Sequence, residues 1–343
     1  MNFCRPLVLA VSCALLTACA TQPPTPVAPE PPAAAVAPAA DAGQQLNALF
    51  ERYFEDMLRL NPVMATYIGD HRYDDQLPNS IGPAYRAEAR ALNERYLAGV
   101  RAIDPAALSP ADRISYDIFV RERERERAAE RFPSHLLPIN QAGSLITFMP
   151  SLGSGRNAQP FDTVEDYERW LKRLDGMVVW MDQAIANMRE GIAQGVVQPR
   201  PVMENVLPQL EAMIVARPED SQFFAPVTMF PDAIGAADRE RLTAAYAAAI
   251  RDRVTPAYVR LRDFVRDEYL PKTRNTVAWS ALPDGEAWYA YYAQEHTTTT
   301  MTADEIHQLG MSEVKRILGE MDEVRQTVGF KGDLEAFFRF LES

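Results

Sequence analysis

"TVEDYERWLKRLDGMVVWMDQAIANMREGIAQG", residues 163–195, decides the fold. Val164, Tyr167, Trp170, Leu171, Leu174, Met177, Val178, Met181, Ile185, Met188 and Ile192 recur at three- and four-residue steps, which places them on one face of a helix about 30 residues long. Thr163 stands where an N-cap belongs, and Gly195 supplies the stop. A stripe this wide, rich in Met and Trp, is the core face of a central helix and not a cofactor box.

The same period extends in both directions. Upstream, Leu46, Leu49, Phe50, Tyr53, Phe54, Met57 and Leu58 describe an amphipathic helix from about Asp41, stopped by Asn61-Pro62. Two more helices are predicted over Pro83–Ile103 and Pro110–Arg131, the second opened by Ser109 as N-cap. Its end, "RERERERAAER", alternates charge residue by residue and reads as a solvated helix face, since opposite signs meet at i,i+3 while like signs meet at i,i+4. Between Phe132 and Pro160 the period is lost, and a loop with one strand at Ser144–Met149 is expected. Downstream, helices are predicted at Arg200–Val215, Ala237–Leu270 with a kink at Pro256, Thr302–Val328 and Leu334 to the end, with Thr302 and Glu305 forming a capping box. The class is all-α, helical hairpins or a bundle with at most one or two short strands.

The front of the chain has a different character. "MNFCRPLVLAVSCALLTAC" carries one positive charge, Arg5, then an apolar run from Leu7 to Leu16. Leu16-Thr17-Ala18-Cys19 completes the pattern of a bacterial lipoprotein signal peptide, residues 1–18, with Cys19 as the lipidated residue. The apolar run is too short for a lasting transmembrane helix. Residues 19–43 follow as a Pro/Ala-rich tether, which as polyproline II at about 3.1 Å per residue reaches up to about 70 Å. Ala20 is no retention signal for the inner membrane, so a bacterial outer membrane lipoprotein facing the periplasm is expected, its partner the membrane itself through the N-terminal lipid. Cys4 and Cys13 leave with the signal and Cys19 carries lipid, so no thiol remains for a disulfide, a thiolate metal site or a nucleophile. The net charge of −12, without a basic stripe, argues against nucleic acid as a partner.

Reactive constellations are sparse. The four histidines, His71, His135, His296 and His307, show no H-E-x-x-H spacing that would bring two imidazoles to one ion, so no metal ligands are assigned. No G-x-S-x-G elbow is present, and Ser312-Glu-Val-Lys315 matches S-x-x-K without its companion motifs. "ALPDGEAWYAYYAQEHTTTT", residues 281–300, stands out instead. With Asp284 as helix cap, Glu286 and Tyr289 share one face, and His296 follows Tyr292 by one turn. The stretch is either a buried aromatic helix with a satisfied histidine or the wall of a substrate groove. In the second case Glu286, Tyr289, Tyr292 and His296 are the candidate residues.

Three pieces carry a resemblance: "LPDGEAWYAYYAQEHTTTTMTADEIHQLGMSEVKRI" from Leu282, "NPVMATYIGDHRYDD" from Asn61 and "LLPINQAGSL" from Leu136. From about Leu46 to Ser343 the chain resembles the bacterial family of unknown function numbered 885. That resemblance implies a mostly helical lipoprotein similar to zinc metallopeptidases of the gluzincin kind, acting on a peptide substrate, with an H-E-x-x-P-G-H-type metal motif downstream of the aromatic block. No residue of this sequence matches that motif. Residues 44–343 are therefore expected to form a helical domain that is the N-terminal part of a larger peptidase-like fold, inactive alone, with no cofactor of its own and zinc confined to a full-length relative. The last helix, with Phe337, Phe338, Phe340 and Leu341 and little left to cover them, adds to the expectation of a truncated chain. The alternative is a non-catalytic helical binding or scaffolding lipoprotein.

Overall fold

Local signals place most helix ends where the sequence puts them. The computed structural model describes residues 39–343, in which the chain forms α1 (Ala39–Leu60), α2 (Pro62–Tyr67), α3 (Pro83–Arg101), α4 (Pro110–Ala129), α5 (Leu145–Leu152) and α6 (Val164–Gln194). It continues through α7 (Arg200–Glu211), α8 (Ala236–Ala249), α9 (Thr255–Phe264), α10 (Gly285–Thr297), α11 (Ala303–Thr327) and α12 (Leu334–Leu341). The expected signal peptide, Cys19 and the greater part of the expected tether lie outside the described residues. The tether's expected end at 43 is corrected, because α1 already begins at Ala39, just past the last proline of that tract. Alanine is the best helix former and supplies three of the five residues at 39–43, which outweighs the single Gly43.

The long helix is capped as expected. Thr163 Oγ1 accepts from the Asp166 amide at 3.3 Å, and Asp166 Oδ2 accepts from the Thr163 amide at 2.8 Å. Gly195 ends it in the left-handed conformation at φ 73°. Ser109 caps α4 through the Asp112 amide at 3.2 Å, and Thr302 with Glu305 forms the predicted box at the start of α11.

One expectation here fails. The expected strand at Ser144–Met149 is helix α5, with the Thr147 hydroxyl folded back onto the Ser144 carbonyl at 3.0 Å. A short apolar run such as LITFM satisfies a buried helix as well as a strand. The described residues contain no strand at all, only an isolated parallel bridge between Pro199 and Arg274. Just before Pro256, where a kink is expected, the chain makes a π-helical turn over Ile250–Val254. The wider turn accommodates a ring that would otherwise press on the carbonyl one turn back.

Packing divides into a large core and two smaller ones. The large core wraps α6: Trp170, Met177, Met181 and Met188 meet Ile146 and Met149 of α5, Met203 and Val206 of α7, Tyr246 of α8 and Tyr258 of α9. A three-helix core joins α1, α3 and α4 through Leu46, Leu49, Leu92, Tyr96, Val100 and Tyr116. On its flank the Arg123 guanidinium lies over the Tyr53 ring at 4.6 Å, so the alternating-charge tract partly roofs an aromatic cluster. The third core, Phe132, Leu136, Val196, Leu282 and Trp288, underlies α10. Close approaches against α6 demand glycine, as at two positions: a Cβ on Gly153 would lie 2.0 Å from the Trp170 ring, and one on Gly176 2.3 Å from the Leu77 carbonyl.

A buried ion pair ties α2 and the turn after it to α6. Arg173 and Asp74 are both fully buried, 3.7 Å apart. Arg173 donates to the carbonyls of Tyr73 at 2.8 Å and Gln76 at 3.0 Å, to Gln159 Oε1 at 2.6 Å and to Thr66 Oγ1 at 3.0 Å. Asp74 accepts from the Thr66 hydroxyl at 2.5 Å and faces His71 Nδ1 at 2.8 Å. Burial draws Arg173 down to about 10, with Asp74 working against the fall. Thr66, His71 and Asp74 of the "NPVMATYIGDHRYDD" piece thus serve a polar clamp on the central helix.

Candidate functional site

The site is built where three loop-to-helix junctions meet. Residues 196–199 link α6 to α7, and the 274 segment runs beside them: the Arg274 amide donates to the Gln198 carbonyl at 3.2 Å, and the Arg200 amide to the Arg274 carbonyl at 2.8 Å. The buried Tyr269 phenol, pushed up to about 12 mainly by burial, accepts from the Gln198 amide at 2.9 Å and fixes the first segment from below. Gln198 Nε2 donates to the Ile139 carbonyl at 3.0 Å, which brings in the "LLPINQAGSL" loop. That loop is held in shape by Asn140 Oδ1, which accepts from the amides of Ala142 at 2.8 Å and Gly143 at 2.9 Å.

Helix α10 closes the far side. Trp288 is buried and stacks on Phe132 at 5.5 Å, while Trp279 meets Trp288 edge-on at 4.7 Å and Tyr292 at 5.4 Å. Gly285 permits this, because a Cβ there would lie 2.0 Å from the Trp279 carbonyl. The expected side-chain cap from Asp284 does not form. Its backbone is left-handed at φ 55°, and its carboxylate accepts from Arg131 Nη2 at 2.9 Å instead. Between these pieces lies a cavity of about 440 Å³, lined among others by Asn140, Gln141, Gln198, Arg274, Trp279 and Tyr292. Its size suits a small ligand or the end of a peptide.

Arg274 supplies the only formal charge in the lining. Its Nε donates to the Val197 carbonyl at 3.0 Å and its Nη1 to those of Thr276 and Ala278, both at 2.7 Å. Burial draws its pKa below the ordinary arginine value. Beside this cavity lies a smaller one of about 230 Å³, where Arg86 Nη1 donates to His135 Nδ1 at 3.1 Å. Since a guanidinium can only donate, Nδ1 accepts and the imidazole proton sits on Nε2. Burial first, then the Arg86 charge, lowers the His135 pKa.

Of the four residues singled out in the 281–300 stretch, Tyr292 lines the cavity, and His296 stacks on its ring at 6.1 Å from the exposed end of α10. Glu286 and Tyr289 sit on the exposed outer side of α10 and do not line the cavity. The helix turns its Trp288 side inward, and 100° per residue carries Glu286 to the opposite side. Trp279, Trp288, Asn140 and Gln198 were not picked out by sequence reasoning, although the two tryptophans lie in or beside the stretch that drew attention. Arg274 left no signal, being one arginine among many in an unpatterned loop.

The zinc that the family resemblance implies finds no donor set here. Among the described residues no group of three or more His, Cys, Asp or Glu is placed to hold a metal ion. The imidazole of His71 is engaged by Asp74 and that of His135 by Arg86, while His307 lies exposed in the second turn of α11.

Fold and site together define an all-helical protein with an aromatic-walled, singly cationic cavity. The chain belongs to the family described as "Bacterial protein of unknown function (DUF885)", which matches residues 62–343. Among solved structures it is similar to "the putative lipoprotein from Colwellia psychrerythraea", with a TM-score of 0.74 and 18% identity over 85% of this chain and 52% of that one. The chain therefore spans about half the length of that structure. No curated protein matches it. None of the helices is long and apolar enough to cross a membrane among the described residues.

Proposed function

We propose that this chain is a lipid-anchored peptide-binding protein of the bacterial outer membrane, facing the periplasm. In this reading residues 44–343 correspond to the N-terminal, substrate-holding part of a zinc-metallopeptidase-like fold. One observation carries it: the cavity walled by Trp279 and Tyr292 and edged by the amide side chains of Asn140, Gln141 and Gln198. Aromatic faces take up apolar side chains, and carboxamides both donate to and accept from a peptide backbone. Anchoring is supported by the lipobox ending at Cys19 and the proline-rich spacer behind it. Bond cleavage is not assigned, since among the described residues no group of three or more His, Cys, Asp or Glu is placed to hold a metal ion.

Isothermal titration of the full chain with short synthetic peptides tests the binding reading, with micromolar to millimolar dissociation constants expected for so open a site. Replacing Trp279 with alanine is expected to weaken binding about tenfold, because an aromatic contact of this kind contributes on the order of 1 kcal/mol or more beyond its buried area. Binding unaffected by that change would place the ligand elsewhere. Anchoring is checked separately: Cys19→Ser should abolish incorporation of labelled palmitate and move the protein from the membrane to the soluble fraction.

A further inference from the structure

Arginines in this chain habitually carry a carboxylate partner, as in Arg189 with Glu268 at 2.6 Å and Arg260 with Asp182 at 2.9 Å. That is the ordinary state in a protein with 47 acidic and 35 basic groups. Arg274 departs from it: among the described residues no carboxylate pairs with it, and three backbone carbonyls, those of Val197, Thr276 and Ala278, grip its Nε and Nη1. Carbonyl dipoles fix the plane of the guanidinium without cancelling its charge, and the Nη2 group is left without an acceptor among the described residues. The cavity around it offers no acid. A held, half-buried, uncompensated cation beside aromatic faces is an incomplete arrangement that an anion completes.

We propose that Arg274 holds the carboxylate of a peptide ligand whose neighbouring apolar or aromatic side chain lies against Trp279 and Tyr292. This deepens the peptide-binding reading above and rests on it. A carboxylate fits better than a phosphate, because the lining has one cation and otherwise neutral groups, which matches a single negative charge and not a double one. The carboxylate can belong to the peptide's C-terminus or to an Asp or Glu side chain.

Three probes separate these cases on the unaltered full chain: N-acetyl-Ala-Ala-Phe as the free acid, the same peptide as its C-terminal amide, and N-acetyl-Ala-Glu-Phe amide. Titration calorimetry and the tryptophan fluorescence of the chain, whose four indoles include Trp279 and Trp288 at the cavity, report binding. The free acid is expected to bind at least about tenfold more tightly than the plain amide, the span of a hydrogen bond to a charged group. Added salt should erode that preference. If the Glu-containing amide binds as tightly as the free acid, the carboxylate is accepted from a side chain and the assignment of Arg274 stands. Arg274→Gln should abolish the preference and Arg274→Lys should keep part of it, with circular dichroism and melting confirming that each variant is folded. Equal affinity for free acid and both amides overturns the proposal while leaving peptide binding intact. No binding of any probe overturns both.

Discussion

Helices α6 and α11 carry the same signature and meet opposite fates. Each opens with a Thr capping box and presents an apolar stripe at three- and four-residue spacing, over 31 and 25 residues respectively. On α6 twelve residues are buried; on α11 none is. Leu309, Met311, Val314, Ile317, Leu318, Met321 and Val324 of α11 all remain exposed. An amphipathic pattern states that a face is suited to being covered, and the period itself carries no information about what covers it. For α6 the cover comes from α5, α7, α8 and α9. For α11 only α12 is a substantial neighbour among the described residues.

The contrast can be broken most forcefully at the polar anchor of α6. Arg173→Met leaves the Asp74 carboxylate buried without its cation, and a loss of about 3–5 kcal/mol in urea unfolding is expected. Adding Asp74→Leu should recover a good part of that loss. A single variant as stable as the parent would mean that the pair, for all its burial, does not tie α2 to α6.

A smaller effect is expected from His135, whose carbonyl accepts from Asn187 of α6 at 3.0 Å. Its pKa is lowered from 6.5 by burial and by Arg86, partly opposed by Glu190. The unfolded chain therefore binds a proton that the folded chain resists. Stability from this group is full above pH 6.5 and drains away as pH falls toward the lowered folded value. His135→Gln is expected to flatten the decline in melting temperature between pH 7 and pH 5, and an unchanged slope would remove His135 from the account.

On α11 the expected change is nearly nil. Ile317→Ser and Met321→Ser, made in the middle of the exposed stripe, should each move the unfolding free energy by less than about 0.5 kcal/mol. The same apolar-to-serine change at Met181 of α6 should cost on the order of 2–5 kcal/mol. A cost of that size at Ile317 would show that α11 packs into its own chain's core in solution, and the comparison would fall.

Legibility followed the range of the physics. Helix ends marked by Thr163, Gly195, Ser109 and Thr302 were readable because a cap involves residues three or four apart. Ser144–Met149 was misread because an uninterrupted apolar run has no period to arbitrate between strand and helix. At the site, Tyr292 was legible from its aromatic surroundings. Glu286 and Tyr289 were grouped with it on helical spacing alone, and the tertiary fold then turned the Trp288 side inward. Arg274 was invisible, since its distinction is the want of an acidic neighbour in space.

By itself the sequence determined the all-helical class and most places where helices start and stop, because these rest on hydrogen bonds and spacing within a few turns of backbone; the family was legible from the resemblance of three quoted stretches. Tertiary structure alone decided which amphipathic face is covered, that Arg173 and Asp74 meet across 99 residues of chain, and that Arg274 sits charged and unanswered among aromatics. Burial and desolvation depend on what arrives from far along the chain, and no local pattern encodes that arrival.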